Sequence, residues 1–296
     1  ARLRFYERLA DGEVFLLLAG APEGENVEPE LFDVADARFV LVFDRDGNSI
    51  RQWDMPESDV GNPEGICVLA DGHIAVADTH YHRVVVFDTS GHVLRMIGQE
   101  GQGDGDFYWP VAVVEDDSGN RFVSEYGGAN RVQKFDSDWE HLLTFGGIGE
   151  RPGEFQRPSG MVWHDGRLYI VDAFNDRIQV FNETTRSAWY HPSVSPIGTW
   201  PDFEFPNDII VTGYDVWVAD NMPPRIVKLD TNGNRLFTYD VAGDGPGQFS
   251  ELHQFSVDSD GNLYGADNVK GRTLKFVPKA GASSMQLVAA PNPPQQ

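Results

Sequence analysis

The amino-acid sequence predicts an all-β protein, a six-bladed β-propeller with four antiparallel strands in each blade. The first observation is a repeated phrase in which an acidic residue, a short loop, an arginine and an alternating apolar run follow one another. Its arginines lie 48, 46, 48 and 47 residues apart, at Arg83, Arg131, Arg177, Arg225 and Arg272, and a weaker copy has Arg38 45 residues upstream. A period of this length is typical of a propeller blade, and six such units fill the 296-residue chain.

The second observation is another phrase with the same period, which opens the first strand of a unit. It is a phenylalanine three residues before a proline or leucine, in the pairs Phe107–Pro110, Phe155–Pro158, Phe203–Pro206 and Phe249–Leu252. Apolar runs follow these pairs, and hairpin turns such as LADGH, DDSGN and DTSGH separate the runs that come next. Each unit is therefore predicted to contain strand a, a hairpin, strand b, a loop, strand c, a hairpin and strand d.

These units predict one propeller domain over residues 1–289 and a disordered tail over residues 290–296, which ends in PNPPQQ. Residues 12–32 are interpreted as a degenerate half-blade with EVFLLLAG as its inner strand. Closing the ring then requires the two termini to share a blade. Either residues 3–9 or residues 285–289 are expected to supply the outer strand of that blade.

Composition and charge disfavour several classes of function. The chain has 46 acidic and 23 basic residues, a net charge of −23, so we expect no nucleic-acid partner. It has no apolar run long enough to span a membrane, and we expect no membrane partner. Cys67 is the single cysteine, so no disulfide can form within the chain. The first residue is Ala rather than Met, which is compatible with a removed signal peptide, and the compartment and oligomeric state stay open.

Two stretches resemble NHL repeats: PEGICV followed by GHIAVADTHYHRVVVFDTSGHVLRMIG, and RPSGMVWHDGRLYIVDAFNDRIQVF. The resemblance covers roughly residues 33–277 and rests on spacing, turn chemistry and the acid-to-arginine phrase together. It implies an NHL-type propeller. In animals, NHL domains are often modules that bind protein or RNA, and the net charge of this chain disfavours RNA.

Because the acid-to-arginine phrase recurs in every unit, we interpret it as architecture, an ion pair across the loop between strands b and c. A functional site is expected where the repeat varies. The residues after the repeat prolines form a ring around the axis at the mouth of the channel: Glu64, Val111, Ser159, Asn207 and His253. Glu64, Asn207 and His253 are predicted ligands of one divalent cation, Ca²⁺ or Zn²⁺. The alternative is a ring of polar residues around a water-filled channel.

Loops around this ring supply further candidates. The b–c loop after Glu125 is one residue longer than the others, and its Tyr126 is a candidate catalytic proton donor or acceptor, with His80 and His253. The predicted substrate-binding residues are Phe174, Met222, Ser159, Trp109 and His191. His191 belongs to a long aromatic-rich connection, residues 182–205, which is either a lid over the mouth or a packed excursion over the blade edge.

Two enzyme families share features with this ring. SEYGGANRVQKF resembles the loop that carries a catalytic tyrosine in the peptidyl-α-hydroxyglycine α-amidating lyases, NHL-type propellers that hold zinc with histidines. His253 stands at a ligand-type position, but Glu64, Ser159 and Asn207 are not histidine, which argues against that zinc site and that activity. PEGI and PND are locally similar to calcium-binding motifs of the gluconolactonase, regucalcin and paraoxonase group.

These features predict an enzyme, a lyase or hydrolase that acts on a small polar substrate at the mouth of the channel, either with or without the assistance of a bound metal ion. The alternative is a non-catalytic propeller that binds a protein, peptide or carbohydrate on the same face. Fold alone does not choose between them, because propellers serve both classes.

Overall fold

The computed structural model describes residues 2–8, 14–19, 39–43, 49–57, 63–182, 196–245, 247–257, 263–267, 269, 272–277 and 288–289. These residues contain 24 strands in six antiparallel sheets of four strands each. Each sheet is one blade, and its strands follow one another in the sequence. The all-β, six-bladed propeller expected from the repeat is therefore confirmed.

The first three blades have the following strand bounds. Blade 1 contains β1 (Arg2–Arg8), β2 (Val14–Ala19), β3 (Phe39–Phe43) and β4 (Ser49–Asp54). Blade 2 contains β5 (Gly65–Val68), β6 (Ile74–Asp78), β7 (Arg83–Phe87) and β8 (Val93–Ile97). Blade 3 contains β9 (Pro110–Glu115), β10 (Arg121–Glu125), β11 (Arg131–Phe135) and β12 (His141–Gly146).

The last three blades repeat the same plan. Blade 4 contains β13 (Pro158–His164), β14 (Arg167–Asp172), β15 (Arg177–Asn182) and β16 (Gly198–Trp200). Blade 5 contains β17 (Pro206–Thr212), β18 (Asp215–Asn221), β19 (Pro224–Asp230) and β20 (Arg235–Asp240). Blade 6 contains β21 (Leu252–Val257), β22 (Leu263–Asp267), β23 (Arg272–Val277) and β24 (Val288–Ala289).

The first strand of each blade lies at the axis. These inner strands contact one another in the order β1, β5, β9, β13, β17, β21 and back to β1, which closes the ring. We call the end of the ring that carries the b–c loops and the connections between blades the upper face. The a–b and c–d hairpin turns lie at the opposite end, the lower face.

The termini close the ring differently from the prediction. Residues Arg2–Arg8 form the inner strand of blade 1, not an outer strand, and the EVFLLLAG segment contributes β2 beside it. The short strand Val288–Ala289 is the outer strand of blade 6. Each terminal blade is therefore complete by itself, and the expectation of a blade shared by both termini is wrong. The PNPPQQ tail lies outside the described residues.

One aspartate organises each of several hairpin turns. Asp88 Oδ1 accepts the backbone N–H groups of Ser90 and His92, and Asp230 Oδ1 accepts those of Asn232 and Asn234. Asp116 and Asp136 make the same two bonds in blade 3. This side chain replaces backbone bonds that a tight turn cannot make, which explains why Asp opens the turns of this repeat.

The hydrophobic core is divided into layers between neighbouring blades. The layer between blades 2 and 3 joins Ala75, Val84 and Val86 to Phe107 and Val123, all of them buried. Because both faces of a blade are covered, every residue of β6 is buried, whereas β8 at the outer edge is mostly exposed. The repeat phenylalanines Phe107, Phe155, Phe203 and Phe249 are all buried, which explains their periodic recurrence.

Helical structure is minimal in the described part of the chain. It consists of two 3-10 turns, Thr79–Tyr81 and Ala173–Asn175, in the b–c loops of blades 2 and 4. Within the described residues there is accordingly no helix that would be long and apolar enough to cross a membrane.

Candidate functional site

The repeated acid and arginine pair at the upper end of strands b and c. The four described pairs, which we call the clamps, have N–O distances of 2.7 to 2.9 Å and are Arg83–Asp78, Arg131–Glu125, Arg177–Asp172 and Arg225–Asp220. In each pair the two residues are directly opposite in the strand register, and the acid is buried. The interpretation of this phrase as architecture is confirmed.

The clamps also fix the connections between blades. The Arg177 guanidinium donates to the backbone carbonyls of Glu150, Arg151 and Glu154, which belong to the connection that enters blade 4. Arg131 makes the same kind of bonds to Gln102, Gly103 and Asp106 in the connection that enters blade 3. A clamp arginine therefore uses its donors on a carboxylate and on backbone oxygens, and it holds the upper-face loops in place.

Burial governs the ionisation of the clamp acids. It is the largest influence on Asp172 and raises the pKa of that carboxyl, although bonds from Asn175, Gln156 and Arg177 act in the opposite direction. Burial likewise raises the pKa of Glu125 and of Asp220. Asp172 accepts bonds from Gln156, Asn175, Arg177 and Gln179, so its acceptor sites are occupied by the protein.

The residues before the repeat prolines Pro110, Pro158 and Pro206 have a left-handed backbone conformation. Trp109, Arg157 and Phe205 have φ values of 55°, 59° and 64°. Their N–H groups donate to a side chain of the preceding blade: His82 Nδ1 at 3.3 Å, Asn130 Oδ1 at 2.7 Å and Asp176 Oδ1 at 2.8 Å, respectively. Bulky residues rarely adopt this conformation, and here the hydrogen bonds to the preceding blade hold them in it.

These three residues bring aromatic side chains together on the upper face. The Arg157 Cζ atom lies 5.2 Å from the ring centroid of Tyr126, 5.4 Å from that of Phe174 and 5.7 Å from that of Phe205. Trp109 extends the group, with its ring 5.2 Å from that of Tyr126. We call Trp109, Tyr126, Arg157, Phe174 and Phe205 the Arg157 cluster.

The predicted apolar walls lie on the same face. Phe174 is 55% exposed and Met222 is 59% exposed, and they occupy equivalent positions in the b–c loops of blades 4 and 5. Each donates its N–H to the carbonyl two residues before the repeat proline, Gln156 for Phe174 and Glu204 for Met222. His80 takes the equivalent position in blade 2 and is also exposed. Four predicted residues, Trp109, Tyr126, Phe174 and Met222, thus belong to the upper face of blades 3 to 5.

The axial ring is more buried than an open channel mouth would be. Glu64, Val111, Ser159 and Asn207 are 2–7% exposed, and His253 is half-buried. The Ser159 hydroxyl donates to the backbone carbonyl of Asn207 at 2.9 Å, so it links blades 4 and 5, and its role in binding a substrate stays a prediction. The described residues contain no group of three His, Cys, Asp or Glu side chains arranged for a metal ion. The mixed set of Glu64, Asn207 and His253 stays a prediction.

A cavity of about 490 Å³ occupies the axis below this ring. Its lining starts one residue further along the inner strands, at Gly65 and Gly160, and continues to the a–b turns at Asp117 and Thr212. The strands approach closely at its upper limit, because a Cβ atom on Gly65 would lie 2.2 Å from the carbonyl oxygen of Val111. The roomy part of the channel therefore lies towards the lower face, away from the predicted mouth.

The long connection of blade 4 is partly described. Residues 196–197 lead into strand β16, Gly198–Trp200. Trp200 at the end of that strand is buried beside Tyr169, with ring centroids 5.6 Å apart. Phe203 is also buried in this layer. This end of the connection is packed against the blade and is no lid. His191 and the rest of residues 183–195 lie outside the described residues.

Sequence reasoning missed two features of the upper face. Gln133 and Gln179, the third residues of strand c in blades 3 and 4, are fully buried and bond both the clamp acid and the connection loop. Arg157 was missed, although its equivalent in blade 3, Trp109, was among the predicted residues. The signal that could have found Arg157 is the variation at the position before the repeat proline, where Trp109, Arg157 and Phe205 differ from blade to blade.

Comparison with known proteins agrees with this architecture. The family model for the NHL repeat matches residues 61–87, which cover the first three strands of blade 2. The chain is an NHL-type β-propeller. The match falls on the stretch whose turn chemistry and clamp carry the resemblance to NHL repeats, so the resemblance and the folded blade agree.

Curated relatives of this NHL-type propeller align with about half of it. Protein brain tumor of Drosophila melanogaster is 29% identical over 135 residues, 45% of this chain and 12% of that protein. NHL repeat-containing protein 3 of Mus musculus is 28% identical over 161 residues, 49% of this chain and 46% of that protein. The aligned part spans less than half the length of each of these relatives.

Solved propellers resemble this NHL-type chain in fold. A streptogramin B lyase structure has a TM-score of 0.61 at 13% identity and covers 90% of this chain and 76% of its own. The periplasmic gluconolactonase PpgL of Pseudomonas aeruginosa has a TM-score of 0.60 at 13% identity and covers 95% and 82%. At such identity the likeness extends to the fold, and these propellers include a lyase and a lactonase.

Proposed function

We propose that this protein is a ligand-binding propeller whose site is the Arg157 cluster on the upper face. The observation that carries the proposal is the assembly of Tyr126, Phe174 and Phe205 around one partly exposed arginine, from three consecutive blades. Exposed aromatic groups rimmed by polar residues are typical of binding surfaces on otherwise polar proteins. The ligand is a small molecule or a short peptide that places an apolar group on these rings.

Three properties of the cluster support binding. Phe174 and Met222 are exposed, although burial of such side chains elsewhere in the blades stabilises the fold. The clamps hold the loops that carry the cluster, so the rings are positioned before a ligand arrives. The left-handed backbone at Arg157 and Phe205 is the kind of strain that concentrates at functional positions.

The test is a panel of aromatic amides, aromatic acids, disaccharides and short peptides, screened for binding by saturation-transfer NMR. We expect ligands with an aromatic group to bind, and Phe174→Ala to abolish their signal. The matched control is Tyr214→Ala, because Tyr214 is 87% exposed but lies in the a–b turn of blade 5 on the lower face. Binding that survives Phe174→Ala, or that Tyr214→Ala removes equally, would contradict the proposal.

A second candidate function is the predicted enzyme, a metal-assisted lyase or hydrolase at the axial ring. One observation favours it: Asn207 is 4% exposed, and its side-chain nitrogen has no hydrogen-bond partner among the described residues. Turned by 180°, this amide would offer its oxygen to a cation together with the carboxylate of Glu64 and the imidazole of His253. A divalent ion there would polarise a substrate carbonyl, and Tyr126 or His80 would transfer the proton.

This second candidate is tested by elemental analysis of the purified protein and of two variants, Glu64→Gln and His253→Ala. We expect about one divalent ion per chain in the wild type and a loss in both variants, together with loss of the thermal stabilisation that a chelator removes. Turnover of a panel of lactones and hydroxy-amides is measured alongside. If both variants keep the metal content and chelator response of the wild type, the axial ring is not a metal site.

A further inference from the structure

Arg157 differs from the clamp arginines in what surrounds its guanidinium group. Each clamp guanidinium has a carboxylate oxygen within 2.9 Å. The backbone N–H of Arg157 is bonded to Asn130, but its guanidinium donates to no oxygen of the described residues. Its neighbours are the rings of Tyr126, Phe174 and Phe205, so its donors are left for solvent or for a ligand.

The position of this guanidinium is fixed from two directions. The backbone of Arg157 donates to Asn130 Oδ1 at 2.7 Å and accepts from the N–H of Ala173 at 3.2 Å. The aromatic faces hold the planar end of the side chain by cation–π attraction. A donor group that is already oriented loses little entropy when a ligand binds, which favours recognition.

The chemistry of the cluster indicates the class of ligand. A guanidinium presents two parallel N–H groups that match the two oxygens of a carboxylate. The exposed ring of Phe174 offers an apolar surface close to that group. Because the chain carries a net charge of −23, a ligand with several negative charges is repelled more strongly than one with a single carboxylate.

We infer that Arg157 anchors the carboxylate of a ligand whose neighbouring apolar or aromatic group lies on the rings of the cluster. The inference rests on the proposed function and narrows its ligand class. A free carboxylic acid and the C-terminus of a peptide both carry this chemistry. The cluster thereby recognises a ligand that carries one negative charge and one apolar group at a defined separation.

The experiment compares N-acetyl-phenylalanine with its amide, N-acetyl-phenylalaninamide, by NMR titration of the intact protein. The two probes share the ring and differ in the carboxylate. We expect the acid to bind the wild type, and the amide to bind about tenfold or more weakly, as loss of a charge-assisted bond implies. Phenyl phosphate serves as a third probe and should bind more weakly than the acid.

Variants locate the effect. Arg157→Gln should abolish the preference for the acid, and Arg157→Lys should retain a reduced preference, because it keeps the charge without the two-pronged donor. The matched control is Arg151→Gln, since Arg151 lies in the same connection, is 86% exposed and pairs with Glu154. It should leave both affinities unchanged. Circular dichroism establishes that each variant is folded, and if Arg157→Gln is not, Arg157→Lys carries the comparison.

The outcomes separate this inference from the proposed function. Equal binding of acid and amide, tighter binding of phenyl phosphate, or an acid preference that survives Arg157→Gln would overturn the carboxylate site. No binding of the acid would overturn it too, while a panel ligand that depends on Phe174 would keep the proposed function. An acid preference that depends on Arg157 but is unaffected by Phe174→Ala would retain the anion site and reject the aromatic surface.

Discussion

Two kinds of arginine lie on the upper face, and they differ in the groups that surround the guanidinium. Arg177 is part of a clamp: a buried aspartate and three backbone carbonyls accept its bonds. Arg157 lies in the adjoining connection between three aromatic rings and has no such acceptor among the described residues. Among the described residues the clamp occurs in four blades, whereas the equivalents of Arg157 in the neighbouring blades are Trp109 and Phe205. The clamp arginines therefore maintain the ring of blades, and the guanidinium of Arg157 is available for a ligand.

The largest expected effect is the loss of a clamp acid. Asp172→Ala leaves the largely enclosed Arg177 guanidinium without its buried counter-ion and removes the acceptor of Gln156, Asn175 and Gln179. We expect a cost of about 3–5 kcal/mol in the free energy of unfolding, measured by urea denaturation. Arg157→Gln is the comparison and should cost about 1 kcal/mol or less, since a surface substitution without a buried partner rarely costs more. Similar losses for both variants would break the distinction between the two arginines.

A smaller effect is expected from the buried glutamines that extend two of the clamps. Gln179→Val removes the acceptor of the Gly153 N–H and the donor to the Glu154 carbonyl. Valine is the natural residue at the equivalent Val85 and Val227, so the strand itself tolerates it. We expect a cost of about 1–3 kcal/mol from the unpaired backbone groups.

The equivalent change in blade 3, Gln133→Val, is the internal check on that number. Its loop makes the same two bonds, from the Gly105 N–H and to the Asp106 carbonyl. Denaturation of the two variants should give similar costs. A large cost in one blade alone would show that the clamps are not equivalent.

The smallest effect on stability is expected from an ion pair outside the clamps and the Arg157 cluster, the pair formed by Lys134 and Asp116. The two side chains lie 2.9 Å apart on the lower part of blade 3. Burial acts to raise the pKa of Asp116, but Asn120 and Lys134 outweigh it and lower that pKa. A depressed pKa in the folded state stabilises the protein above the unfolded-state pKa, and this contribution is lost as the pH falls through the folded-state pKa.

Asp116→Asn should therefore cost about 1–2 kcal/mol near neutral pH. The difference from the wild type should shrink as the pH falls below about 4, because only the wild type loses a paired charge there. Thermal denaturation of both proteins across this range measures it. A difference that is independent of pH would show that the Asp116 charge contributes nothing to stability.

Repeat arithmetic predicted most of the fold. The spacing of Arg83, Arg131, Arg177 and Arg225 located strand c of each blade, because a clamp works only at one place in the b–c ladder. The inner strand of blade 1 was predicted wrongly: it is Arg2–Arg8, and the EVFLLLAG segment is the second strand. RLRFYER and EVFLLLAG are both strand-like, and neither follows the Phe-x-x-Pro phrase that marks an inner strand elsewhere.

The site was harder to predict, because burial at the axis depends on distances between blades. Repeat position alone placed Ser159 and Glu64 on one ring, but the close approach of the inner strands at Gly65 buries that level. Tyr126, Phe174 and Met222 lie on one face as expected, since all three belong to b–c loops and these loops share an end. The contact of Arg157 with three rings required the left-handed backbone before the proline, which no sequence spacing reveals.

The way the ring closes has a consequence for how the chain folds. Every sheet is built from strands that are consecutive in the sequence, so each blade can form its backbone ladder as soon as its own residues are available. Contacts between consecutive blades join neighbours in the sequence, whereas the contacts of β1 with β21 and β22 join distant parts of the chain. Contacts between near neighbours form quickly, and distant ones carry the entropy of closing a long loop. Assembly can thus proceed blade by blade, with the docking of the first blade on the last as its final step.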